Sequence, residues 1–178
     1  MRTLALALTL VLSLSVSVPA RAAVDETNAN RLNALGLFLG TGSGYDLGGS
    51  ATRLHGIIML TRMLGEEADA LSFDGPCPFS DVAAGKPSAY TGYAFAQGYT
   101  TGVSTTTFRP NGALSFKHYV TFLLRALGYD DGAGDFTFAA SLDKAVEIGM
   151  MTRASADCIL QKQYALYRGD LVDLFVSA

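Results

Sequence analysis

The sequence predicts a mainly α fold made of three helix–loop–helix repeats that share one core. Three observations point there. Two segments, Thr52 to Gly65 and Ser115 to Gly128, carry apolar residues at i, i+3, i+4 and i+7 spacing. Each opens on a hydroxyl residue suited to an N-cap and closes on a glycine suited to a left-handed C′ position. In both segments the glycine stands 13 positions after the cap, which fixes the register between repeats.

The N-terminus reads as a leader. Arg2 precedes an apolar run, Leu4 to Val18, and Pro19 then leads into Ala20-Arg21-Ala22. This is the pattern of a secretory signal peptide, residues 1–22, cleaved after Ala22. The run is short of the ~20 apolar residues a membrane span needs, so no span is expected after cleavage.

The first repeat covers residues 23–75. Leu32 to Leu35 end at Gly36, and Gly40 follows in a glycine-rich loop with Tyr45-Asp46-Leu47. Its second helix starts near Thr52. The second repeat, 76–132, opens with Phe79-Ser80-Asp81-Val82. A helix over about 90–97 stops at Gly98, and Gly102 stands four residues on, as Gly40 does after Gly36. A loop holding Phe108 to Asn111 leads into the helix after Ser115. The third repeat, 133–178, is divergent. Phe136-Thr137-Phe138 opens it, Ser141 to Ile148 reads as a helix ending at Gly149, a loop carries Cys158, and a last helix starts near Arg168. Such short helix pairs cannot bury their apolar faces alone; packed on each other they can.

Composition bounds the partners. Removing Arg2 and Arg21 with the leader leaves 13 − 2 basic residues against 16 acidic ones, a formal charge of −5. An acidic chain without a basic stripe argues against nucleic acid as partner. Cys77 and Cys158 either pair or stay free in an exported chain, and spacing alone leaves both open. No cofactor or metal is implied. The two histidines and two cysteines lack ligand spacing, and the acidic run from Asp130 to Asp135 lacks the order of a calcium loop. No nucleophile and base stand in catalytic spacing, so a non-enzymatic role is expected.

The ordered motifs resemble a known family. Phe79 to Val82, Thr107-Phe108-Arg109-Pro110-Asn111 and Leu124 to Gly128, with Ala51-Thr52-Arg53-Leu54-His55 and Leu166-Tyr167-Arg168-Gly169-Asp170, are similar to the S-layer homology (SLH) domain of bacterial surface proteins. The resemblance implies a three-pronged, pseudo-threefold spindle whose grooves bind a secondary cell-wall polysaccharide, often pyruvylated. It therefore implies non-covalent anchoring at the cell surface. A small structural surface-layer role, or the binding of a surface protein, is the alternative. Against the family pattern, His55 and His118 stand where an acid is usual, and Phe116 stands where an arginine is.

The candidate binding residues follow from both readings. Helix starts present amides and a partial positive charge to an anion, and an arginine fork in the first turn matches a carboxylate. Thr52, Arg53 and His55, then Ser115, Lys117 and His118, then Arg168 and Asp170 occupy these starts. Gly36, Gly40, Gly98 and Gly102 would allow close backbone approach. Other roles stay open: His55 and His118 as capping residues, Arg109 as a loop residue, Phe79 and Phe108 as core, and Tyr45, Tyr90, Tyr93 and Tyr99 as either core or sugar platform. Histidines at two helix starts also raise the prospect of pH-sensitive binding.

Overall fold

The computed structural model describes residues 26–162 and 165–176. The leader and its cleavage point lie outside the described residues.

The chain is mainly helical. Its helices are α1 (Thr27–Ala34), α2 (Arg53–Met63), α3 (Glu67–Leu71), α4 (Lys86–Ala96), α5 (Phe116–Ala126), α6 (Ser141–Glu147), α7 (Arg153–Lys162) and α8 (Arg168–Val176). Among the described residues no helix is long and apolar enough to cross a membrane. The long helices start and stop where the sequence places them. Thr52 Oγ1 accepts from the His55 amide at 3.2 Å, and Ser115 Oγ accepts from the His118 amide at 3.2 Å. Each hydroxyl satisfies one orphan amide of a helix start.

Two helices were not expected. The segment with Cys158 forms α7 and is no loop. Ala154, Ala156, Leu160 and Gln161 favour a helix, and Thr152 caps it, its Oγ1 accepting from the Ser155 amide at 3.1 Å. The short α3 follows α2 and is tied to α4 by side chains. Glu67 accepts from both the Tyr90 hydroxyl and Arg62 Nε, and Glu66 accepts from the Tyr99 hydroxyl at 2.9 Å. Burial, reinforced by Glu67, pushes the Tyr90 phenol up to about 12. Tyr90, Tyr93 and Tyr99 are thus buried and belong to the packing of α3 against α4.

The helices meet at a small closed ring. The Ala51 amide donates to Leu166 O (2.8 Å), the Leu166 amide to Leu114 O (2.8 Å), and the Leu114 amide to Ala51 O (2.9 Å). All three residues are buried, and α2, α5 and α8 follow them by two residues each. Within the fold the ring satisfies three polar pairs that would otherwise be stranded in the core.

The core differs from the single one expected. A large cluster joins α1, α2, α4, α5 and α8. A second, smaller cluster holds Val120, Leu124, Phe136, Leu142, Ala145 and Ala156, on the side of α5 that meets α6 and α7. Phe116 packs against both. The divergent third segment therefore builds its own apolar contact, because α7 brings a face of its own. The cysteines stay free: Cys77 sits beside Thr91 on α4 at 3.4 Å, and Cys158 is exposed on α7.

Candidate functional site

Two junctions share one construction. At the start of α2, the Arg53 and Leu54 amides donate to Gly112 O (2.9 Å) and Pro110 O (3.1 Å). At the start of α8, the Arg168 and Gly169 amides donate to Gly49 O (2.9 Å) and Leu47 O (2.9 Å). So the loop after α4 covers the start of α2, and the loop after α1 covers the start of α8. The first-turn amides are already bonded within the chain. This corrects the expectation that they seat an anion directly; any anion there must be met by side chains.

The arginine side chains fill these junctions. Arg53 is 3% exposed; its Nε donates to Phe108 O at 2.8 Å, and its guanidinium lies over the Phe108 and Phe122 rings. Burial, then the nearby Arg125 and Arg109 charges, lower its pKa to about 10, against a weaker pull from Asp81. Arg168 is 7% exposed; its Nε donates to Tyr45 O at 3.1 Å and its guanidinium lies over Phe38. Neither has a carboxylate within ion-pair distance among the described residues. A buried cation without an anion is costly, which makes these two the natural partners for an incoming negative group.

The loops are held from behind. Asp81 of the Phe-Ser-Asp-Val segment accepts from the Phe108 amide (2.9 Å) and the Arg109 amide (2.7 Å). Burial opposes ionisation of this carboxyl, but the two amides and the Arg109 charge outweigh it and hold its pKa below the usual range. Arg109 itself adopts φ 59°, as does Asp46 in the other loop with φ 49°. Phe79 stacks on Phe108 with ring centroids 5.5 Å apart, so both phenylalanines are core.

The remaining candidates have identifiable places. Thr52 and Ser115 are N-caps, and Asp170 accepts from the Tyr167 amide at 2.7 Å. His55 completes a capping box, its Nδ1 accepting from the Thr52 amide at 3.2 Å. His118 Nδ1 lies 2.7 Å from Ser115 Oγ. Lys117 is drawn away to Ala139 O at 3.1 Å. Gly36 and Gly98 face open space as helix C′ residues and make no close approach. Gly40 and Gly102 do, but to the chain itself: a Cβ on Gly102 would stand 2.5 Å from both Phe79 Cε1 and Ser104 O. The structure thus brings together Arg168, His55 and Tyr45 at one junction, and Arg53, Phe108 and Arg109 at another.

At the start of α5 no arginine is present. Phe116 stands there, beside an open apolar groove of about 1190 Å³ lined by Met63, Leu127, Met150, Met151 and Ile159. The sequence alone does not reveal this groove, because the repeat pattern predicts a loop where α7 forms one wall.

Both histidines have lowered pKa values. Burial is the main cause in each, followed by Arg168 for His55, where Asp46 opposes it, and by Arg53 for His118. Unfolded histidine takes a proton near pH 6.5 while the folded ring resists it. The unfolded state then binds more protons, so stability is lost as pH falls through 6.5 towards the folded values. The urea midpoint is expected to be lower at pH 5.5 than at 7.0. His55→Gln/His118→Gln, which keeps an acceptor at both capping positions, is expected to flatten that interval.

No family model matches the chain. It is 26% identical over 162 residues to the Middle cell wall protein of Brevibacillus brevis. The match covers 90% of this chain but only 15% of that relative.

Proposed function

We propose that the chain is an exported, non-enzymatic surface module that associates with the bacterial cell wall by binding a secondary wall polysaccharide carrying acidic groups. The observation that carries this is the pair of buried arginines, Arg53 and Arg168, each held at a helix start with no carboxylate of its own. The SLH-like motifs and the similarity to a cell-wall protein support the same reading. On this reading the repeats are the three SLH-type units, and the junctions between them are the grooves. Two junctions are cationic and one is apolar. The groove beside Phe116 favours a second role there, the binding of a surface protein.

Co-sedimentation with purified sacculi tests the proposal. The protein is expected to pellet with untreated sacculi and to stay in solution after acid extraction of the non-peptidoglycan polymer. Arg53→Met/Arg168→Met, which keeps the apolar stems, is expected to weaken binding at least tenfold while remaining folded by circular dichroism. Equal binding before and after extraction would sink the polysaccharide reading.

A further inference from the structure

His55 and Arg168 face each other in a way the chain alone does not satisfy. A backbone amide can only donate, and the Thr52 amide points at His55 Nδ1 from 3.2 Å. Nδ1 must then be the acceptor, so the single proton of the neutral ring sits on Nε2. Nε2 lies 3.4 Å from Arg168 Nη1. Guanidinium nitrogens are donors only. Two N–H groups therefore converge at this point.

We propose that His55 and Arg168 form a two-donor clamp for one oxyanion of the ligand, a carboxylate or phosphate oxygen, with His55 acting as a neutral donor of fixed orientation. The proposal rests on the wall-polymer reading for the source of that oxyanion and names how the site holds it. The clamp is rigid. Arg168 is anchored at Nε by Tyr45 O and stacked on Phe38, and His55 is fixed by its capping box. An oxygen about 2.9 Å from each nitrogen fits a 3.4 Å separation.

The surrounding charges decide the pH behaviour. Arg168 faces the ring from α8, where Asp170 is occupied by the Tyr167 amide. The loop before α2 contributes exposed Asp46 and the phenol of Tyr45, which donates to Asn30. A second proton on the ring would have to enter at Nδ1, against the Thr52 amide and beside a guanidinium. The donors at the clamp therefore stay the same across the physiological range, and binding is not switched by histidine titration. His118 does not repeat the arrangement. Its Nδ1 meets a hydroxyl that suits either tautomer, and its ring lies 5.0 Å from that of Phe138.

The test uses uniformly ¹⁵N-labelled protein expressed with its own leader. Long-range imidazole spectra are expected to show His55 as the Nε2–H tautomer, a readout that needs no variant. Titration with glucuronate and with inorganic phosphate is expected to shift Nε2–H and the Arg168 side chain, and the stronger of the two assigns the oxyanion as carboxylate or phosphate. Affinity for glucuronate, whose carboxylate stays ionised throughout, is expected to change less than twofold between pH 5.5 and 7.5. His55→Glu keeps the capping acceptor but places a carboxylate in the clamp, and is expected to bind the stronger probe at least tenfold more weakly. A His55 Nδ1–H tautomer, no shift with either anion, or unchanged affinity in His55→Glu would overturn the clamp. Wild-type protein that ignores sacculi but shows these shifts would retire the wall reading and leave the clamp standing. Sacculus binding with no such shifts would do the reverse.

Discussion

Arg53→Ala is expected to lower the thermal midpoint by roughly 6–12 °C, taking about 3 kcal/mol at about 2–4 °C per kcal/mol for a chain of this size. Three losses add up. Phe108 O loses its donor in a buried setting, at about 1–3 kcal/mol. The stacking on Phe108 and Phe122 contributes about 0.5–2 kcal/mol. The aliphatic stem leaves a void. One gain opposes them: a buried positive charge with no carboxylate disappears. Arg53→Met separates these effects, since it keeps the stem and removes the charge. It is expected to fall within about 1 kcal/mol of wild type, because relief from the charge offsets the stranded carbonyl. Thermal melts of both variants check this. A methionine variant as unstable as the alanine one would mean that the hydrogen bond dominates, and the difference between them could not be assigned to packing.

The second large effect is expected at Leu114. This side chain is fully buried and lies where a Cβ on Gly56 would stand, 2.8 Å from Leu114 Cδ2 and 3.4 Å from Tyr119 Cδ2. Leu114→Ala is expected to cost about 2–5 kcal/mol through lost transfer energy and the cavity left behind. Gly56→Ala alone is expected to cost about 1–3 kcal/mol by overpacking, reduced by the roughly 1 kcal/mol of helix propensity that alanine regains. Together the two changes should cost less than their sum by about 1 kcal/mol or more, because the new methyl enters the space that leucine vacates. Urea unfolding of the two single variants and the double variant measures this coupling. Simple additivity would show that the helix crossing relaxes independently of this contact.

The mainly helical fold was legible in the residues because its signals are local. The caps Thr52 and Ser115 and the terminal glycines act within one helix turn, so α2 and α5 could be bounded from sequence. Helix α7 was missed for the opposite reason: matching the third repeat to the first two imposed a loop on residues whose own propensities favour a helix. Helix α3 has only five residues, too few for a period to show. The site was half legible. Arg53 and Arg168 could be placed at helix starts, yet their burial could not, because the loops that cover them come from distant segments: Phe108 and Tyr45 supply carbonyls across the fold. The role of Asp81 was hidden in the same way, since its two bonds reach the far end of the segment opened by its motif.

The ring joining Ala51, Leu114 and Leu166 has a consequence for the timing of synthesis. Two of its three hydrogen bonds use Leu166, far along the chain from Ala51 and Leu114, and cannot form until that residue has been made. Contacts this distant in sequence pay their loop-closure cost before they bring any stabilisation, which slows closure further. A nascent chain that stops short of Leu166 holds an open junction and remains extensible. Only once Leu166 has joined them can the three segments lock.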